Sequence, residues 1–578
     1  MGVRGNVFQS AGQRSVHYIP GGYSRIDTPI GQLGLVSFSN AVIVGTCTGG
    51  KPNVIQWFDD PNQVANVLRG GDLMEAGRFA LNPGGDLNPQ RIGLLRVNSA
   101  LQAVGTLLNG VTDIIDYKSR DYGVYTNNIK RAVATATTKG KKLTVTLNDV
   151  SQTIDNIFKD SVNIQYIGDA STAVMTIDNT QLTTTLAGDQ TDGSVDLTVS
   201  FATFDTIEKL VGYINSQVGY SCTLVDGVNQ TNLSSELDAY TAQDIKSSEI
   251  IITSNVQAMI DAINNLSNYL SDAVLHSGST RLQLDNSADV FLTGGSEGSE
   301  TSIEHTNALI VLEQEDVQCV GTTSEDYAIH SLYKTHVEAM NAVDGKRERQ
   351  FILGALKGET LSGAISQAKV LNSKGNAFCL GQFKDYDING TEIEWGSVFY
   401  AAKMIGQFAA LDIIQPHTFK GFNATELTTV LSNPEKEEAI KNGVWVPEVS
   451  PQGTFRTVRS ITTYQQDNLI WNEFSMSRTV LFVSRDFRNY MEVLFVGKAG
   501  DTTLIQSMQT LGSAKLDTYR NDDNFFVDNP NPGWDGRAWK DLRITINGDQ
   551  YNFQYDATIT SPVTFMFITN RFSILVTI

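Results

Sequence analysis

Between Ala41 and Leu95 the chain runs from an unbroken apolar stretch, Ala41-Val42-Ile43-Val44, through a glycine-rich turn, Gly45 to Asn53, to a helix signal and a second apolar stretch, Ile92-Gly93-Leu94-Leu95. A strand that is apolar at every position is one covered on both faces, which points to parallel sheet with helices over it. Asp60 is a candidate helix N-cap, Pro61 suits the first helical position, and Gly70-Gly71 reads as the stop. This stretch confines the opening of the chain to an α/β unit.

The same turn meets most of the pattern G-x-x-x-x-G-K-[ST], with Gly45, Gly50 and Lys51 in place. A nucleotide loop needs a Ser or Thr hydroxyl for Mg²⁺ after the lysine, and a helix starting there so that its amides cradle phosphate. Pro52 stands at that position with neither hydroxyl nor N–H, and the helix signal comes only at Asp60. Gly294-Gly295-Ser296-Glu297-Gly298 fits G-x-S-x-G, the nucleophile elbow of hydrolases, but Ser299 or Thr301 is a better N-cap than Ser296. His305, His330, His336 and His417 follow in chain order, so a triad stays formally open. The simpler reading is a flexible Gly-Ser junction. Asp385-Tyr-Asp387-Ile-Asn389-Gly390 begins like a calcium loop, but Gly396 stands where the closing Glu belongs, so Asn389-Gly390 reads as a hairpin turn. The six histidines show no metal-ligand spacing. No catalytic, cofactor or metal residue is expected; the alternative is a hydrolase or NTPase using the Gly45–Lys51 or Gly294–Gly298 loop.

At 578 residues the chain is too long for one core, and the domain-size prior suggests about three to five units. A net charge of −20 argues against a nucleic-acid groove or an anionic membrane surface as main partner. No run reaches the ~20 apolar residues of a membrane span, and the opening Met1-Gly-Val-Arg-Gly-Asn lacks the apolar core of a secretion signal. The protein is therefore expected to be made and kept in a cytoplasm. Cys47, Cys222, Cys319 and Cys379 are widely spaced and read as buried hydrophobes in a reducing compartment.

Residues 1–22 read as a polar arm broken by Pro20-Gly21-Gly22, and 23–117 as the first part of a core. Residues 118–293 rise in Thr, Asp, Asn and Gly and alternate, as in Leu143-Thr-Val145-Thr-Leu147 and Ala173-Val-Met175-Thr-Ile177, which is the mark of half-exposed sheet. They are expected to form one or two inserted β-rich domains, with helices over 204–218 and 256–270. After strand Val290-Phe291-Leu292 the core pattern resumes over 294–560: strand 317–320, helix 325–341, strand 350–353, helix 360–370 and strand 377–380. A long amphipathic helix is predicted over 474–496 and another over 503–519, then a hairpin around Asn547-Gly548. The expected fold class is thus α/β and α+β multidomain, an interrupted core with terminal arms. Residues 561–578 close on Phe572-Ser-Ile574-Leu-Val576-Thr-Ile578, an apolar β segment unguarded by charge. It is either an ordinary internal strand or one that pairs with another chain.

Two blocks carry a resemblance. Tyr23-Ser-Arg-Ile-Asp27-Thr28 followed by the glycine turn and capped helix, and much later Phe455-Arg456-Thr457-Val458-Arg459-Ser460-Ile461-Thr462-Thr463 before a long helix, are similar to contractile phage tail sheath proteins in the family's order. The resemblance covers residues 20–130 and 290–578. It implies a non-enzymatic virion subunit, assembled in the host bacterial cytoplasm as stacked hexameric rings around an inner tail tube, held by baseplate and tail terminator proteins, and contracting to drive the tube through a cell envelope. It implies further that both termini complete sheets of neighbouring subunits, with Val16, Tyr18, Ile19, Phe572, Ile574, Val576 and Ile578 as the exchanging residues. A surface adhesion protein, suggested by the Thr/Asn/Gly-rich middle, fits less well with the α/β core and the missing export signal.

Overall fold

The computed structural model describes residues 38–566 and, as backbone, the strands Asn6–Ser10 and Gln13–His17. Seven strands form the central sheet: β1 (Ala41–Gly45), β2 (Ile55–Phe58), β3 (Ile92–Arg96), β4 (Cys319–Thr322), β5 (Gln350–Gly354), β6 (Ala377–Cys379) and β7 (Val444–Trp445). Their order is β7-β6-β5-β4-β1-β3-β2, parallel throughout except for the edge strand β2. β1 and β4 lie on opposite sides of the insertion in sequence and side by side in space, Ala41 opposite Cys319 and Val44 opposite Thr322.

Both faces are covered, as the unbroken apolar strands require. Val42, Val44, Val320, Phe351, Leu353 and Phe378 point to one core, under helices Ser302–Gln314, Tyr327–Met340 and Leu361–Leu371. Ala41, Ile43, Leu94, Cys319, Ile352 and Trp445 point to the other, which the helices Asp72–Leu81, Ser397–Ala410 and Phe474–Phe495 share. The α/β rhythm over 317–380 is present as expected. Helix Ser397–Ala410 was not foreseen: every residue from Ser397 to Phe408 is buried, so it has no polar face to give it a period.

The middle of the chain holds two separate hydrophobic clusters. In the first, helix Asn255–Leu266 packs on the sheets 104–109/112–119/270–275 and 129–135/141–147/150–157/287–291. The second gathers helix Ile207–Asn215 with the strands 160–166/220–224/250–253 and 172–177/181–187/198–200/240–244. One expectation is corrected here. Strands 104–109 and 112–119 pair with each other, and the second of them with 270–275, rather than joining the first part of the core, because Leu107, Ile114, Ile115 and Tyr117 turn toward the first cluster. The strand around Val290 pairs with Ile129–Thr135, inside the insertion.

Beyond the sheet, the helices Phe474–Phe495 and Thr502–Asn521 carry the hairpin Trp539–Asn547/Gln550–Ala557. The block 455–463 is not one strand: Phe455–Thr457 pairs with Pro447–Val449, Ile461 bridges to Glu473, and Trp445 Nε1 donates to the carbonyl of Ile461. Of the expected exchange residues, Val16 lies in the strand Gln13–His17, opposite Val7. Tyr18, Ile19, Phe572, Ile574, Val576 and Ile578 lie outside the described residues.

Two predictions follow from this packing. A Cβ on Gly406 would land on the carbonyl oxygen of Ala80 where the two helices cross, so Gly406→Val should cost about 1–3 kcal/mol, read as a lower urea midpoint. His330, His336 and His417 are buried and held below their ordinary range, to about 4, about 3 and about 3, by desolvation first; for His336 the Arg349 guanidinium adds to it and donates to Nε2 at 2.9 Å. The unfolded chain binds these protons near pH 6.5 and the folded chain does not. The stabilisation is therefore complete above pH 6.5 and lost as pH falls, by up to about 4 kcal/mol per pH unit for the three together. Buried Glu473 and Asp238, whose protons bind more tightly than usual because of desolvation, oppose the trend at lower pH. Thermal unfolding between pH 7 and 5 should show the slope, and His417→Gln should flatten it.

Candidate functional site: loops that resemble enzyme motifs and an open sheet edge

In sheets of this order, ligands sit at the carboxyl ends of the strands where the order reverses, here between β1 and β4. That crevice is filled. Thr323 N–H donates to Val44 at 2.9 Å, and its hydroxyl occupies the space a Cβ of Gly45 would take. The Gly50 N–H, which a phosphate loop would aim at its ligand, donates to Asp121 Oδ1 at 2.7 Å. Arg96, 1 % exposed, donates to the Gly50 carbonyl at 2.9 Å and pairs with Glu297 at 2.6 Å. The helix directly after the turn starts at Pro61 with Asp60 as its cap, as the sequence indicates, and the amino end of the next helix, Asp72–Leu81, is spent on the turn's own backbone, Leu73 N–H donating to the Thr46 carbonyl at 2.9 Å. A carboxylate on the loop amide is the reverse of what a phosphate needs.

The Gly294–Gly298 segment is a packed junction rather than a flexible one. Glu297 takes Arg96 and the Val124 N–H, and its carbonyl accepts from Asn98 at 2.6 Å. Leu101 and Val104 bridge to Ser296 and Thr293, and a Cβ on Gly298, at φ +72°, would strike the Ser99 backbone. The following helix begins at Ser302 under a capping box of Thr301 and Glu304, several residues after Ser296, so no helix-start amides face that hydroxyl. The four histidines downstream are spent elsewhere: His305 on Tyr333 and Glu300, His330 on the Ser324 carbonyl, His336 on Arg349, His417 on the Met404 carbonyl. All four cysteines are buried, and burial raises Cys47 and Cys222 to about 12 and Cys319 and Cys379 higher still. Asp387 accepts from the Asn389 and Thr391 amides, closing the hairpin turn of Phe383–Tyr386 and Glu392–Trp395. Among the described residues no group of three His, Cys, Asp or Glu could hold a metal ion.

Beside the glycine turn a cavity of about 610 Å³ stays open, lined by Lys51, Arg69, Arg120, Asp121 and Tyr125. The C-terminal hairpin is open as well. Tyr551, Phe553 and Tyr555 alternate inward and Gln550, Asn552 and Gln554 outward, and Leu542 is buried with them. Phe487 of the long helix meets Tyr555 with ring centres 5.2 Å apart. Under this module, burial raises the Tyr519 phenol, which donates to Asp486 at 2.6 Å; Lys515 pairs with the same carboxylate at 2.7 Å. Two strands alone are marginal, and among the described residues no third strand pairs with either one. Beside them runs a groove of about 650 Å³ lined by Phe487, Met491, Phe495, Leu504, Met508 and Tyr551. The sequence marks the hairpin through Asn547-Gly548 but carries no sign of the groove, which four separate segments build.

No family model matches the chain. It is 28% identical over 581 residues to the tail sheath protein of Bacillus phage SP01, covering 97% of this chain and 96% of that one. It is 22% identical to the tail sheath protein of Staphylococcus phage Twort, over 79% of this chain and 81% of that one. Among solved structures, a sheath tail protein from Listeria innocua aligns with a TM-score of 0.53 at 13% identity, over 91% of this chain and 96% of its own. One from Desulfitobacterium hafniense gives 0.51 at 13% identity, over 93% and 100%. In sequence along almost its whole length, and in fold, the chain is similar to phage tail sheath proteins.

Proposed function

We propose that the chain is the structural, non-enzymatic subunit of a contractile phage tail sheath. The observation that carries this is the full-length match to sheath proteins, and the filled crevice at β1 and β4 supports it. In this reading subunits stack as hexameric rings around an inner tail tube, with baseplate and tail terminator proteins as partners, and the sheath is assembled in the host cytoplasm and kept in the virion. Shortening drives the tube through the envelope. A device that rearranges without falling apart needs interfaces that can change and tethers that cannot.

The hairpin Trp539–Ala557, open on both sides among the described residues, is our candidate receiver for strands lent by neighbours. The donors are Val16, Tyr18 and Ile19 from one end and Phe572, Ile574, Val576 and Ile578 from the other. We divide the chain accordingly: arms at 1–22 and 561–578, a core of 23–102 with 294–560, and an outward insertion of 103–293. The first boundary falls at 102 rather than 117 because strands 104–109 and 112–119 form one sheet with 270–275.

Removing residues 571–578 should abolish long polymers seen by negative-stain electron microscopy while leaving the melting temperature of the dilute chain within ~2 °C, since surface losses change stability little; unaltered tubes would sink strand lending. Purified protein should release no phosphate from ATP or GTP above background, and Lys51→Ala should change nothing. A lysine-dependent release would revive the nucleotide reading.

A further inference from the structure

Apart from the hairpin, one concavity lies where the described chain runs out. It is a groove of about 410 Å³ lined by Phe419, Ile440, Val458, Arg459 and Phe565, with the charged Glu437 and Lys441 also along it. The sequence block that carries the resemblance builds it. Arg456 lies 3.9 Å from the centre of the Phe419 ring and pairs with Glu448 at 2.7 Å. Arg459 pairs with Glu473, the cap residue of the long helix, at 3.2 Å and lies 5.3 Å from the Phe565 ring centre. Arg459 keeps one buried donor, Nε, without an acceptor among the described residues, and a buried donor left unpaired is costly.

We propose that this groove seats Phe567 of the same chain, so that the C-terminal segment is anchored on its own subunit and only residues 571–578 are free to be lent; this rests on the arm reading above. Three observations converge. Met566 is the last described residue and Phe565 already lines the groove; Phe567 follows at once, and one residue advances an extended chain by at most ~3.6 Å. In such a chain Phe567 falls on the same side as Phe565, toward Arg459, while Ile568 falls on the other. Phe565 is itself 66% exposed, so the groove still has room, and a carbonyl of the arriving segment supplies the acceptor that Arg459 Nε lacks. A root fixed this way gives the lent strand one exit direction and shortens its free length, which raises its effective concentration at the receiving edge.

Hydrogen exchange of the full chain, measured dilute and again concentrated, tests this. Peptides covering Glu437–Lys441 and Val458–Arg459 should be protected equally at both concentrations. A chain ending at Asn570 should keep that protection, whereas a chain ending at Met566, or Phe567→Ala in the full chain, should exchange about tenfold faster there, as a locally opened surface does. Protection untouched by losing residues 567–578 would overturn the proposal. So would protection that appears only on assembly, which would mean that a neighbour's segment fills the groove. The chain ending at Asn570 separates the two readings: if it still polymerises, strand lending fails while the anchor is judged by its own exchange data.

Discussion

The pairing of β1 with β4 is the contact on which the rest depends. Asn40 and Gln318, 278 residues apart in sequence, exchange a 3.0 Å hydrogen bond at the start of this pair, and Ala41–Val44 then run in register with Cys319–Thr322. Both strands are buried on both faces, so breaking the pair would expose two cores at once. Closing a flexible loop of that length costs entropy that grows only as the logarithm of its length, and the insertion reduces even this. Its two connectors are held together by the bridges Leu101–Ser296 and Val104–Thr293, so the folded insertion brings the two halves of the core to each other.

The glycines of the connectors serve that closeness. Gly298 lets one connector lie on Ser99, and Gly123 lets the insertion base touch the Thr48 carbonyl. The buried Arg96 then gathers the carbonyls of Gly50 and Tyr122 and the Glu297 carboxylate into one knot. An arginine removed from water is stable only with such partners. The resemblances to a phosphate loop and a nucleophile elbow therefore share a cause: both glycine runs permit close backbone contact at one seam, and the contact is made by the protein with itself.

How far the sequence could be read follows from the same physics. Parallel strands buried on both faces announce themselves as apolar runs, and β1, β3, β4, β5 and β6 were legible for that reason. The half-exposed strands of the insertion were legible through alternation, as at Leu143–Leu147. Helix 397–410 was not, because a helix buried all round has no amphipathic period. Residues 104–119 were misplaced because Leu107 and Ile114 show that they are buried without showing against what. The block Phe455–Thr463 looked like a strand but consists of residues each drawn to a different partner: Thr457 to Tyr400, Arg459 to Glu473, Ile461 to Trp445. Side-chain partnerships of that kind leave no periodic trace. The hairpin's turn was visible, but its role as an open edge depends on which strands are missing beside it.

Where the terminal segments join the folded body bears on how such a subunit could do work. Arg478, fully buried one turn into the long helix and lowered to about 9 by desolvation, donates to the Phe38 carbonyl at 2.9 Å and to the Leu411 carbonyl at 3.2 Å. Leu411 ends the central helix, so a cation there also meets the negative end of a helix dipole. Phe38 is the first residue after the undescribed opening stretch. At the other end of the chain, Arg459, beside Phe565, is tied to Glu473 at the start of the same long helix. Both terminal segments thus enter the body at the amino end of helix Phe474–Phe495, one through Arg478 and the other through Arg459. If subunits pull on one another through their ends, as proposed, force would enter there and pass along a helix packed against both the central sheet and the hairpin Trp539–Ala557. The lent end and the proposed receiving edge would then be joined by one stiff element.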